Sequence, residues 1–219
     1  MFTYSLQGLA LASESTGPVE VEESPTTARS AIYQVLGSFF AADPASGFEK
    51  SLDGSWAKEL AEAGTLLPFD LVDGEVAGTI EGGPAAYAAE HERFLGGATL
   101  LGGARGDRDA ELASVHREYE YFGLAADPGA TLPPDHLATE LDFMQYLCFK
   151  EAASPSARLA TSFRRAQRDF LANHLLTWVP DLVAGAVQAG AGPSFAWAFG
   201  ALGSFLTADH AYVADLLGA

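Results

Sequence analysis

Residues 133–144, Pro-Pro-Asp-His-Leu-Ala-Thr-Glu-Leu-Asp-Phe-Met, place several ionisable groups at the mouth of a strongly apolar helix. Proline fixes φ and has no N–H to donate, so the helix is expected to begin at Pro134, where a donor would stay unpaired in any case. Asp135 then falls in the first turn, facing the positive end of the helix dipole. At about 100° per residue, Leu137, Leu141, Met144 and Cys148 share one line, and Phe143 and Leu147 widen the stripe. Asp135, Thr139, Asp142 and Tyr146 are expected on the opposite side. His136 and Glu140, four residues apart, flank the apolar surface.

Three chemistries fit that edge pair. His136 and Glu140 could bond to one another while Asp135 caps the helix. They could converge as metal ligands or as an acid/base pair, although HxxxE lacks the second histidine and third ligand that make a zinc motif specific. His91, His116, His174 and His210 show no ligand spacing. A polar edge beside an apolar groove could also receive a peptide or another protein.

Outward from this segment the chain alternates between helical patterns and loops, with little period-two alternation, so the class is all-α, a single helical bundle. Ser24-Pro25 supplies an N-cap and first helical residue. Ile32, Val35, Leu36, Phe39 and Phe40 form the buried face up to a stop around Asp43-Pro44. A short helix is expected over 55–63, and another from Pro84 through Phe94 to Gly96-Gly97. The glycine-rich stretch 96–107 reads as a flexible loop. A helix over 111–122 ends at Gly123 in the left-handed C′ position. After Ser154-Pro155 a long helix turns Phe163, Phe170, Leu171, His174, Leu175 and Trp178 inward and Arg164, Arg165 and Arg168 outward. Pro180 is expected to end or kink it. Segments 181–189 and 193–217 complete the bundle, with Gly200 and Gly203 allowing close approach of a neighbour. Residues 1–23 read as an acidic, flexible extension, and 24–219 as one all-helical domain.

The 219 residues carry 12 Lys and Arg against 29 Asp and Glu, a formal charge of -17. That balance disfavours nucleic acid and anionic membrane, and favours cationic partners. Cys148 is the only cysteine, so no intrachain disulfide can form, which suits a reducing compartment. Its place in the apolar stripe makes it a core residue rather than a nucleophile. Met1 to Ala12 has no basic residue before its short apolar run and makes a poor secretory signal. The apolar run from Phe195 to Leu206 has the length of a buried helix, short of the ~20 residues of a bilayer span. No GxSxG, Walker, dinucleotide-fold or HExxH motif is present. Gly102 to Asp107 has glycines but lacks the lysine and hydroxyl of a phosphate cradle.

The order of elements carries more information than any one of them. Arg29, Tyr33, Leu36 and Phe40 come first, followed by Tyr119 with Phe122-Gly123-Leu124. Next are Pro134-Asp135-His136-Leu137, Glu140-Leu141 and Phe143-Met144, and last Phe170-Leu171 with His174-Leu175-x-x-Trp178-x-Pro180. This succession, over roughly residues 26–182, resembles the TorD/DmsD/NarJ family of redox-enzyme maturation chaperones. The resemblance implies an all-α bundle acting in the cytoplasm, not an enzyme. Such a chaperone holds the catalytic subunit of a molybdopterin oxidoreductase until its cofactor is inserted, and binds the subunit's twin-arginine leader.

By the same resemblance Pro134, Asp135, His136 and Glu140 line the peptide-binding region, with Tyr119 and Gly123 close by. An apolar groove rimmed by carboxylates would suit such a leader, because arginine–carboxylate pairs are strong and directional. No metal or other cofactor is expected on the chain itself, and the state is monomer or homodimer. The wording of Leu141 to Phe149 is most similar to members serving dimethylsulfide, selenate, chlorate or ethylbenzene enzymes. Two departures stand out: glycines at 100–107 where the family has Glu-Ser and a tyrosine, and residues 1–23 ahead of the first helix. Two other classes remain, a metal-dependent hydrolase using His136 and Glu140, and a small-molecule-binding helical regulatory domain.

Overall fold

Ser24 caps the first helix as its spacing requires: its hydroxyl accepts from the Thr27 N–H while the Thr27 hydroxyl accepts from the Ser24 N–H, and Pro25 occupies the first turn. In the computed structural model, which describes residues 9–11, 22–71, 82–126 and 131–218, this helix α1 spans Pro25–Ala41. Its expected apolar face is buried, with Ile32 and Leu36 fully enclosed. The stop at Asp43-Pro44 is real, but the same two residues begin α2, Pro44–Leu52, which the sequence pattern did not suggest. The Asp43 carboxylate accepts from the N–H groups of Ala45 and Ser46, and Pro44 takes the first helical position.

Helices α3 (Ser55–Gly64), α4 (Gly83–Leu95) and α5 (Arg108–Tyr121) follow, the last closed by Gly123 at φ 72°. Beyond that turn β2, Leu124–Ala126, pairs antiparallel with β1, Leu9–Leu11, in a two-stranded ribbon beside an otherwise all-α bundle. Of the stretch read as a flexible extension, residues 1–8 and 12–21 lie outside the described residues.

Helix α6, Leu137–Ala152, is the axis of the bundle and packs most extensively on α1 and then on α7, Ala157–Phe170. Both faces are therefore covered. Thr139, Asp142 and Tyr146, expected on a polar side, are 1%, 3% and 4% exposed, because a helix wrapped on two sides has no solvent face to give them. Gly37 makes the α1 contact close: a Cβ there would stand 3.3 Å from Asp142 Oδ1 and 3.6 Å from Leu141 Cβ. Cys148 is fully buried, as its place in the stripe implied, and burial pushes its thiol far up.

Helix α7 runs on through a π-helical turn, Leu171–Leu175, into α8, Leu176–Gln188. Pro180 does not end this helix, which runs on past it to Gln188. Its missing N–H falls in the first turns of α8, just after the π turn has already shifted the hydrogen-bond register. By length and composition the run Ala157–Gln188 could cross a bilayer, yet 44% of its apolar window is buried inside the bundle, as in a core helix. Helix α9, Pro193–Leu217, closes the domain. Gly203 lies against Val183 of α8, whereas Gly200 faces open space and mediates no approach.

A buried ionic network ties four helices together. The Arg29 guanidinium on α1 bonds Asp209 of α9 through two nitrogens, donates to Gln167 Oε1 of α7 at 2.6 Å and stands 3.6 Å from Glu151 of α6. Tyr33 donates to the same Asp209 at 2.6 Å, and Arg164 closes on Glu151 at 2.5 Å. Of the three arginines expected to face outward, Arg164 thus reaches into the network, while Arg168 pairs with Asp169 at the surface.

Candidate functional site

The glycine-rich stretch before α5 is not a free loop. Leu100 and Leu101 sit in the core between the glycines and anchor it. The Leu137 N–H donates to Leu100 O at 2.8 Å, and the Gly102 N–H donates to Asp135 O at 2.9 Å. Leu101 and His136 form an antiparallel bridge, after which Gly102–Arg105 makes one 3-10 turn. Two segments far apart in sequence, 100–103 and 133–137, are thereby laced together over the start of α6.

That lacing changes the helix start. The helix begins at Leu137 rather than Pro134, and its N-cap is His136, whose Nδ1 accepts the Ala138 N–H at 3.1 Å. Burial pulls the imidazole down to about 4, against a small opposing effect of Asp135, so the ring is neutral and free to accept this bond. His136 and Glu140 do not bond through their side chains. Only the ordinary backbone bond, Glu140 N–H to His136 O at 3.0 Å, joins them.

Asp135 is not an exposed first-turn acid. It is fully buried in the turn before α6 and receives Arg108 of α5 through both Nε, 3.2 Å from Oδ2, and Nη2, 3.4 Å from Oδ1. Glu140, in the first turn of α6, is also fully enclosed, with the Trp178 indole as its hydrogen-bonding neighbour. It lies beside Gly102 and the Trp178 indole. Burial, reinforced by the charges of Glu111 and Asp135 and only partly offset by a hydrogen bond from Trp178, raises its pKa well above the usual carboxylate range. Nearby, His174 Nδ1 meets Glu111 Oε1 at 2.7 Å.

Tyr119 and the prolines do come together: the Tyr119 hydroxyl donates to Pro134 O at 3.0 Å, while its ring packs on Phe143. Pro134 is half-buried. Gly123 lies past the end of the same helix as Tyr119, exposed and with no contact to the others, and serves the turn into β2. The sequence reading lacked Arg108, Glu111 and the roles of Gly102 and Gly103. The one local signal was Asp107, which caps α5 and so fixes where Arg108 begins.

The carboxylates thus lie beneath the surface rather than on a groove's rim, and the bundle's apolar clefts open elsewhere. One of about 290 Å³ runs between α8 and α9 past Val179, Pro180, Val183 and Gly203. Another of about 220 Å³ lies between α4 and α8, near Arg93 and Asp181. Among the described residues no group of three or more His, Cys, Asp or Glu side chains is placed to hold a metal ion, and His136 and Glu140 do not converge.

Residues 102–184, which include the mouth of α6, match the family model described as nitrate reductase delta subunit. The selenate reductase assembly chaperone protein of Thauera selenatis is 40% identical over 134 residues, 58% of this chain and 65% of the relative. The chlorate reductase assembly chaperone protein of Ideonella dechloratans is 44% identical over 75 residues, 34% of this chain and 39% of the relative. The dimethyl sulfide dehydrogenase assembly chaperone protein of Rhodovulum sulfidophilum is 35% identical over 141 residues, 58% of this chain and 54% of the relative. These relatives are named as assembly chaperones, and the stretch they match carries the element order that resembles the TorD/DmsD/NarJ family. The matches span less than two thirds of these relatives' own lengths. No solved structure matches the chain.

Proposed function

We propose that this chain is a cytoplasmic chaperone for the catalytic subunit of a molybdenum-cofactor oxidoreductase, holding that subunit until its cofactor is inserted and binding its twin-arginine leader at the α5–α6 junction. The names of the relatives point to oxidoreductases of the selenate, chlorate and dimethyl sulfide kind as the class of client. One observation carries the placement of the site: Asp135 already grips a guanidinium with two nitrogens, the geometry in which a carboxylate recognises arginine most strongly. The charge of -17 would draw a basic leader toward the bundle. Pro134, His136 and Tyr119 fix the backbone around that carboxylate, and Gly123 sets the turn at the far end of α5.

Co-purification tests the reading. The tagged chain, as monomer or homodimer, should retain a molybdopterin oxidoreductase catalytic subunit expressed with it, and retain less once the leader is deleted. A subunit that passes through unbound, with or without its leader, would refute the assignment.

A further inference from the structure

The two apolar clefts lie on either side of a helix face that no described part of the bundle covers. Along α8, Pro180, Ala184 and Val187 fall within about 60° of one line at 100° per residue. All three are exposed, Val187 by 68%. This ridge has the α8–α9 cleft on one flank and the α4–α8 cleft on the other. In a chain of formal charge -17, Asp181 is the one charged residue from Leu176 to Ala208. We propose that this face is the contact between two copies of the chain, with their α8 helices packed antiparallel across a two-fold axis near Gly185.

Charge selects a second copy as the occupant. Of the residues lining the two clefts, only Arg93 and Asp181 are charged, so this face is neutral on a strongly acidic protein. Elsewhere like charges hold two copies apart. Arg93 and Asp181 do not serve one another within a chain. The Arg93 guanidinium donates to Ala189 O at 2.8 Å, just past the end of α8, whereas Asp181 lies about two turns earlier, some ~12 Å along the axis. Neither forms a salt bridge among the described residues.

Midway between those two positions stands Gly185. A two-fold axis there reverses one α8 on the other and brings Arg93 of each copy against Asp181 of its partner, so one complementary pair is made twice. An unrelated apolar segment could fill a cleft but would have to bring the matching charges by chance. Gly185 also permits the close approach, because a Cβ there would meet nothing within 4 Å in its own chain. The ridge of one copy has a groove to enter in the other, between Val179 and Val183 of α8 and Gly203 of α9. Trp178, the α8 residue beside Glu140, is buried on the opposite side of the helix, so the pairing leaves the α5–α6 junction free.

Sedimentation velocity on the full chain tests this. The natural chain should show a monomer–dimer equilibrium at micromolar concentration. Ala184→Glu, an exposed substitution compatible with helix and close to the axis, should weaken the dimer at least about tenfold. Arg93→Glu and Asp181→Arg should each weaken it too, since each sets like charges opposite one another at two symmetric positions. Combining the two should restore the dimer, which neither a folding defect nor a loss of apolar area could do. A natural chain still monomeric at about 100 µM, a dimer indifferent to Ala184→Glu, or a double variant no better than its weaker single overturns the proposal. So does a monomeric natural chain whose retention of a co-expressed catalytic subunit falls with Ala184→Glu, which would give the face to the client. A dimer that retains no subunit keeps this interface and removes the chaperone reading instead.

Discussion

Glu140 and His136 share one turn of helix and respond to pH in opposite senses. The folded-state value of Glu140 is raised, so the stability it lends is complete below the unfolded carboxyl value of 4.5 and is lost as pH rises above it. His136 is depressed from 6.5 to about 4, so its contribution is complete above 6.5 and is lost as pH falls toward 4. At neutral pH the histidine is therefore satisfied as a neutral cap, and the glutamic acid is the group under strain. Glu140→Gln fixes the uncharged state in nearly the same volume. It should raise the thermal midpoint at pH 7 to 8, and the advantage should shrink to nothing near pH 4. A midpoint unchanged at pH 8 would mean that Glu140 ionises in place with help from water. The acid limb between 6.5 and 4 should survive in Glu140→Gln, because it belongs to His136.

At the scale of elements, the sequence pattern is most informative where a signal is local. Ser24-Pro25, Gly123 and the caps they form stand where spacing placed them, and all-α class follows from the apolar periodicity. Helix α2 escaped because Asp43-Pro44 works equally as a stop for α1 and a start for the next helix. The burial of Thr139, Asp142 and Tyr146 escaped because periodicity along α6 sees one packing partner, whereas the helix has a layer on each side. Arg108 and Asp135 are 27 residues apart, so nothing in either segment alone could pair them. The lacing of 100–103 to 133–137 depends in turn on α8, whose Trp178 is 3% exposed and stands under Gly102 beside Glu140. Trp178→Ala should cost about 3–5 kcal/mol in urea unfolding, as the truncation of a buried indole does. It should also loosen that lacing, seen as faster amide exchange at Gly102 and Leu137. A loss below about 1 kcal/mol would show that α8 does not support the lacing.

For the molecule as a whole, the Arg29 network decides whether four helices come together in one arrangement. Apolar packing of α1, α6, α7 and α9 is abundant, but it is directionless, and alanine-rich helices can slide on one another. Arg29 is fully buried and must meet Asp209, Gln167 and Glu151 at once, which fixes the axial position of each helix relative to α1. Bringing these charges out of water costs much of what their attraction returns, so the network adds specificity more than stability. Removing one member has a different effect, because among the described residues Asp209, which is fully buried, would keep the Tyr33 hydroxyl but no cation, and Glu151 would keep Arg164 and Gln167. Arg29→Met should therefore cost about 3–5 kcal/mol in urea unfolding. Replacing Asp209 by Leu in the same chain should recover part of that loss by removing the stranded charge, while leaving a bundle whose near-ultraviolet dichroism is weaker and whose transition is broader. If the double variant instead unfolds as sharply as the natural chain, apolar packing alone sets the register and the network is dispensable for it.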